Sequence, residues 1–323
     1  MNVDLELYLN SIGVEFHKNV DLKKKTWIHR GGMCEFFILP DGREQLLLVS
    51  KYLYKEHIRF VLFGHTSNIY VLNTCDLPVV VSTLKCNHFE LTDEGICCEA
   101  GVGVIKLANH MVRNGIAGFE YLTDLPGTVG AAIYNNSSCK SNSISDLMIS
   151  VEVLLKDGSI VVYDRSDLDF RYRSSAFKRG DIEGVILGAV LKAEPGNASL
   201  LMEAASKNIA ERQTLLDHRS KSLGSTMNSC FSNGHMPLRY YILFRLYNLW
   251  LRIVDRDSSS RQSRSKVFLC KIAGYGNITK YISDQDVIIF NWLDDEADDA
   301  FPLYLEFMSK VFRTDKVEIE IIK

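Results

Sequence analysis

Glycine, proline and asparagine cluster in this chain where a ligand could rest on the main chain. In Leu125-Pro126-Gly127-Thr128-Val129-Gly130 a rigid proline and two glycines sit in an apolar setting. Such a loop leaves backbone N–H groups unpaired and lets a ligand approach the chain closely. By itself, a loop of this kind is more often a tight turn against a core. A second loop lies upstream: Gly64-His65-Thr66-Ser67-Asn68 separates the apolar runs 60–63 and 69–72, which read as two strands. Two such loops flanking a helix point to a dinucleotide held by main-chain donors. No G-x-G-x-x-G opens a helix after a strand, which disfavours a Rossmann site.

The elements that must position these loops are legible from periodicity. Val104, Leu107, Ala108, Met111 and Val112 share one helical face, and Asn114-Gly115 close that helix. Upstream, residues 1–25 are polar and mixed and end in the basic run Lys23-Lys24-Lys25, which reads as a solvated lead-in to structure. Trp27 to Gly32 reads as a turn, Cys34 to Pro40 as a strand, and Arg43 to Glu56 as a helix leading to a strand at 59–63. Val79 to Leu84 reads as a strand, and Cys97-Cys98 end another. Val151 to Lys156 and Ser159 to Tyr163 flank Asp157-Gly158, a strong hairpin signal. Gly184 to Lys192 reads as a strand. Pro195-Gly196-Asn197 marks a boundary before a helix from Ser199 to Gln213, so residues 50–200 read as one α+β domain.

Beyond residue 200 the character changes. Leu238 to Val254 is apolar nearly all round its helical wheel, yet carries Arg239, Arg245 and Arg252. At 17 residues it is short for a membrane span. A buried or partner-covered helix is the favoured reading, with membrane-surface contact the lesser alternative. Asp255 to Ser265 reads as a polar loop. Phe301, Tyr304, Leu305, Met308, Val311 and Phe312 share a helical face that leads to an alternating strand, Val317 to Ile321, with Glu318 and Glu320 on one side.

A length of 323 residues implies two or three domains. A net charge of −3 without a basic stripe argues against nucleic-acid binding. Eight cysteines without a C-x-x-C pair argue against a zinc site or a disulfide framework and for a reducing cytoplasm. The N-terminus has no positive region before an apolar core, so no signal peptide is expected. No metal site is expected either.

Taken in order, Gly64-x-x-Ser67-Asn68, Gly115-x-x-Gly118-x-Glu120, Pro126-Gly-Thr-Val-Gly130-x-Ala132-Ile133, Asn136 and Phe170-x-Tyr172-Arg173-x-Ser175-x-Phe177 form one pattern. It resembles that of the UDP-N-acetylenolpyruvoylglucosamine reductase family (MurB, UDP-N-acetylmuramate dehydrogenase). The resemblance runs from about Trp27 to Glu320 and thins after Thr226. It implies an α+β chain with a two-subdomain, PCMH-type FAD-binding fold of the MurB and vanillyl-alcohol-oxidase kind, plus a smaller C-terminal α+β substrate domain. The implied division is an N-terminal FAD subdomain at 1–55, the main FAD-binding subdomain at 56–200, a substrate domain at 201–300, and a closing helix and strand at 301–323.

The resemblance also implies a reaction. FAD would be held by Gly64, His65, Thr66, Ser67, Asn68, Leu125, Pro126, Gly127, Thr128, Gly130 and Asn136, with NADPH as hydride donor. The acceptor would be the enolpyruvyl or a related double bond of a nucleotide-sugar. Tyr172 and Arg173 would bind this substrate. Arg173 and Glu320 would stabilise the enolate-like charge, and Ser225, in Ser222-Leu-Gly224-Ser225-Thr226, would give the proton.

Four departures from the family pattern stand out. Gly-Gly-Gly before Ser-Asn is here Gly64-His65-Thr66, Asn-Ala-Gly-Ala-Tyr-Gly is Asn136-Ser-Ser-Cys-Lys140-Ser, Phe-Lys-Asn-Pro after the serine is Met227-Asn-Ser-Cys-Phe231, and His-Ala-Asn-Phe-Ile-x-Asn is roughly Gln285 to Asn291. The flavin set and the catalytic three are kept while the nucleotide-sugar pocket is rewritten, which is the pattern expected of a divergent paralogue with altered substrate. Two alternatives remain open: a non-catalytic flavin-binding or partner-binding protein, with a protein partner or self-association through 238–254, and the housekeeping peptidoglycan enzyme itself.

Overall fold

The computed structural model describes residues 2–139, 141–214, 222–227, 236–255 and 258–323. They pack as two compact units. The first comprises Met1–Lys25, Gly31–Thr66 and Asn73–Glu211; the second comprises Thr26–Arg30, Ser67–Leu72 and Arg212–Lys323.

In the first unit, four strands lie in the spatial order Glu15–Asp21, Met33–Leu39, Leu77–Ser82, Phe60–Phe63. The first pair is antiparallel, with Phe16 opposite Ile38. The next two pairings are parallel, with Phe36 opposite Val79 and Val61 opposite Val80. Parallel neighbours need a crossover, which the helix Arg43–Lys55 supplies. Its buried residues Leu46, Val49 and Leu53 recur at helical spacing and share one core with Phe36, Ile38, Val79, Val81, Leu154, Val185 and Leu187. Each fully buried aliphatic side chain there contributes about 1.5–3 kcal/mol.

The second sheet of this unit is antiparallel, in the order Ile160–Asp164, Met148–Leu155, Gly184–Leu191, Gly95–Glu99, Phe89–Thr92. The expected hairpin is present: the Leu155 N–H donates to the Ser159 carbonyl at 2.9 Å, and Gly158 has φ 86°. The helices Val104–Arg113 and Val129–Asn135 share one hydrophobic core with this sheet.

The basic run Lys23-Lys24-Lys25 is exposed, and the polar residues before it are structured. Asn2–Ser11 is a helix and Glu15–Asp21 an edge strand. Leu5 and Leu9, one turn apart, are buried in the core of the four-stranded sheet, and Tyr8 stacks on Tyr52 at 3.9 Å between ring centroids. Two leucines at i, i+4 dock a helix whose average composition is polar. The same sheet takes strands from both sides of residue 55, so a subdomain border at 55/56 would cut through it.

The second unit is built on aromatic rings. Phe290 lies 4.9 Å from Trp292, 5.2 Å from Phe301 and 5.1 Å from Tyr304, and Tyr70 lies 5.1 Å from Phe301. Such edge and tilted pairs add about 0.5–1.5 kcal/mol each beyond burial. Helix Ala297–Phe312 presents the expected face, burying Phe301, Tyr304, Met308, Val311 and Phe312. This helix and residues 317–322 belong to the same unit as Arg212 onward, with no border at 300/301.

Residues 255–265, expected as a loop, are helical from Ser258, in the helix Ser258–Ala273. Phe268 stacks on Tyr247 at 4.0 Å, and the Ser265 hydroxyl bonds the Arg261 carbonyl and Asn248 Oδ1. Tertiary packing thus outweighs the weak helix propensity of serine.

Candidate functional site

Two loops of the first unit interlock. A Cβ placed on Gly64 would lie 2.6 Å from Thr128 Oγ1 and 3.1 Å from Thr128 Cγ2, so only glycine lets the loops meet at this separation. Thr66, buried, adopts φ 55°, and Gly127 has φ 128°. Thr128 caps the helix Val129–Asn135, its side chain accepting from the Ala131 N–H.

Gly103 and Thr128 form an isolated antiparallel bridge. It is made by the Val104 N–H to the Gly127 carbonyl and the Val129 N–H to the Val102 carbonyl, at 3.0 and 2.9 Å. In that geometry the N–H groups of Gly103 and Thr128 themselves point away from the bridge. Gly103 also lies against His65, whose Cε1 would be 3.2 Å from a Cβ there. The first unit therefore gathers Gly64, His65, Thr66, Leu125, Pro126, Gly127, Thr128 and Gly130. His65 and Pro126 are exposed. A glycine-rich surface with outward amides fits a diphosphate approaching the backbone. Gly103 was missed as a candidate. The signal available for it was Gly101-Val102-Gly103 between a strand and a helix.

Asn136 ends the same helix in the left-handed conformation, φ 44° and ψ 57°. It is buried, and its Nδ2 donates to the Arg171 carbonyl at 2.9 Å, while its Oδ1 has no partner among the described residues. A buried acceptor without a donor is costly unless a bound group supplies one.

The latched carbonyl belongs to a two-residue turn in which Arg171 and Ser174 exchange both main-chain bonds at 3.0 Å. Tyr172 and Arg173 form its tip. Tyr172 is 66% exposed, and Arg173 is half-buried with φ 53°. A left-handed backbone at a bulky residue is uncommon and persists only where the surroundings hold it. Here Ser175 Oγ donates to the Tyr134 carbonyl at 2.6 Å, and Lys178 Nζ to Asn135 Oδ1 at 2.8 Å. The helix that opens at Thr128 thus also places the Arg173 turn.

Ser67 and Asn68 are built into the second unit rather than with Gly64, His65 and Thr66. There the Glu320 N–H donates to the Asn68 carbonyl at 2.9 Å, and Glu320–Ile322 pairs in parallel with Ile69–Val71. Thr226, fully buried, is fixed on three sides. Its N–H donates to the Ile288 carbonyl, its carbonyl accepts from the Glu318 N–H, and its Oγ1 accepts from the Phe290 N–H at 3.1 Å. Ser225, half-buried, precedes it directly and follows Gly224 at φ 73°. Ser225 and Glu320 are thereby brought to one ribbon of the second unit, and Arg173 belongs to the first.

The continuous strand expected over 317–321 is interrupted by a bend at Ile319. The segment leaves Met227, opposite Val317, and takes Ile69 as its next partner. Of the segments that depart from the family pattern, 228–231 lies outside the described residues. Phe290 and Asn291 are fully buried.

Residues 34–164 match the model of an FAD binding domain. The chain is 31% identical over 188 residues to UDP-N-acetylenolpyruvoylglucosamine reductase of Caldicellulosiruptor bescii, covering 58% of this chain and 59% of that protein. It is 28% identical over 241 residues to the protein of the same name from Streptococcus mutans, covering 75% and 74%. The crystal structure of MurB from Thermus caldophilus aligns with a TM-score of 0.68 over 96% of this chain and 99% of that one, at 19% identity, and shows a shared fold.

Proposed function

The chain belongs to the UDP-N-acetylenolpyruvoylglucosamine reductase family, and on that premise we propose that it is an FAD-dependent, NADPH-driven reductase of an enolpyruvyl or related unsaturated nucleotide-sugar. The observation that carries this reading is the interlock of Gly64 with Thr128, beside outward main-chain amides and continuous with the helix whose Asn136 latches the Arg173 turn.

In this reading the loops at 64–66 and 125–130 would hold the diphosphate of FAD, and Asn136 Oδ1 would accept a hydrogen bond from the cofactor. FAD, when bound, supplies the two-electron relay between NADPH and the substrate double bond. The protein's own residues do the rest. The Arg173 guanidinium, a planar fork of donors, binds the substrate carboxylate and opposes the negative charge that grows on its oxygen. Tyr172 adds a ring edge and a hydroxyl to that contact. Ser225 Oγ–H gives the proton that completes saturation at one carbon, the hydride having gone to the other, and the serine recovers a proton from solvent. Glu320 orients the same charge-bearing region. Ser67 and Asn68 serve the cofactor side of the second unit, in a cytoplasmic enzyme.

Ser225→Ala tests the assignment. Bleaching of the visible flavin absorbance by NADPH without oxygen should be unchanged. Turnover of UDP-N-acetylenolpyruvoylglucosamine, or of the true acceptor, should fall about 10²–10⁴-fold. Retained turnover would remove Ser225 from the mechanism.

A second reading, a flavin-binding protein without turnover, draws on the segment at the family's substrate signature. There Phe290 and Asn291 are core residues with no exposed surface. Bound flavin that NADPH cannot reduce would favour it.

A further inference from the structure

The helix Leu238–Val254 in the second unit turns only a narrow stripe inward. Tyr240 and Leu251 are buried, and Phe244, Tyr247 and Asn248 are half-buried. At 3.6 residues per turn the opposite side carries Leu238, Ile242, Leu246, Leu249 and Ile253 as one row, 71, 47, 59, 60 and 78% exposed. Trp250, 51% exposed, flanks that row. The same periodicity puts Arg245 and Arg252 along one border and Arg239 along the other, all three exposed. The helix contains no Asp or Glu, and over 238–273 there are eight arginines and lysines against two aspartates, in a chain of net charge −3. An apolar row of this length left in water on a soluble surface marks an interaction site.

We propose that this face docks on an anionic lipid bilayer, with the helix lying in the interface plane. Its leucines and isoleucines enter the acyl boundary, Trp250 sits at headgroup depth, and the arginines meet lipid phosphates at the borders. No helix among the described residues is long and apolar enough to cross a membrane, so contact is peripheral. Charge decides against a second copy as the occupant. Symmetric pairing of this face would set Arg239, Arg245 and Arg252 of both copies along one seam, and the helix has no carboxylate to meet them. An anionic surface matches both the apolar row and its cationic borders.

The test is sedimentation of the full chain with vesicles of phosphatidylcholine alone and of phosphatidylcholine with phosphatidylglycerol. Binding is expected only to the anionic vesicles and should weaken as salt rises. Arg239→Gln with Arg245→Gln should lower the partition coefficient about fivefold per arginine. Leu249→Ser with Ile253→Ser should lower it about tenfold or more. Tryptophan fluorescence should be quenched by lipids brominated on their acyl chains, and that quenching should be lost in Trp250→Phe. Unchanged flavin retention and melting curves establish that the variants fold. Three outcomes would overturn the proposal: no binding to anionic vesicles at low salt, equal binding to neutral ones, or a stable dimer that Leu249→Ser dissociates.

Discussion

Asn136 does two separable things, and substitution can tell them apart. Its backbone is left-handed, at φ 44°, which costs an alanine about 1 kcal/mol more than an asparagine or glycine. Its Nδ2 donates at 2.9 Å to the Arg171 carbonyl, which also accepts from the Ser174 N–H. Losing Nδ2 therefore leaves that carbonyl with one partner, and the loss is the net worth of one hydrogen bond, about 1 kcal/mol. Asn136→Ala should cost both terms, about 2 kcal/mol. For a unit of about 200 residues this lowers Tm by roughly 4–8 °C. Asn136→Gly should cost only the bond, roughly 2–4 °C. The assay is calorimetry of the full chain, with all variants compared at the same flavin content. Equal losses for alanine and glycine would refute the backbone part of the reasoning. A loss under 1 °C for both would refute the latch, and with it the idea that the helix at 129–135 positions Arg173.

Arg30 is 9% exposed in its side chain and contacts Asp298 Oδ2 at 3.3 Å and the Asp294 carbonyl at 2.5 Å. Arg30→Leu takes the guanidinium from Asp298, which keeps the Tyr70 hydroxyl at 2.9 Å, and should cost about 1.5–3 kcal/mol, the worth of a hydrogen bond to a charged group; a urea titration followed by tryptophan fluorescence that shifts by less than 1 kcal/mol would refute this. Burial pushes the thiols of Cys86, Cys98 and Cys270 up to about 12 and that of Cys34 to about 11, while Cys97 and Cys139 are only half-buried. At pH 8 a thiol at 12 is about one part in ten thousand thiolate, so alkylation of the native protein read by peptide mass should mark Cys97 and Cys139 before Cys86, Cys98 and Cys270, and equal labelling of Cys86 would contradict the burial. Burial also holds the Asp286 carboxyl above its ordinary 3.8, against N–H bonds from Ile288 and Val287. The folded state then takes up its proton more readily than the unfolded chain, so ionisation of Asp286 costs stability at neutral pH, and the cost vanishes below the unfolded value, where both states are protonated. Asp286→Asn should therefore raise the urea midpoint at pH 7 and lose that advantage toward pH 4; no gain at pH 7 would refute it.

What the sequence made legible was local. The helix over 104–113, the Asp157-Gly158 hairpin and the glycines at 64 and 127 are each decided by residues within a few positions, through helical period, turn chemistry and the absence of a Cβ. Where a distant partner decides, local pattern fails. Leu5 and Leu9 find a core made by residues 36–81 and 154–187, and the helix Ser258–Ala273 is anchored by Ser265 on Asn248 and Phe268 on Tyr247.

The site divides along the same line. The Gly64 and Thr128 loops could be recognised because close backbone approach writes glycine into the sequence at the point of contact. The break between Thr66 and Ser67 could not. The Asn68 carbonyl accepts from the Glu320 N–H, and a main-chain bond leaves no mark on residue type. The same holds for Ser225, which is positioned through the backbone groups of Thr226, Ile288 and Glu318. A candidate site residue placed by backbone bonds can be guessed from a family pattern, but its position follows only from the fold that supplies those bonds.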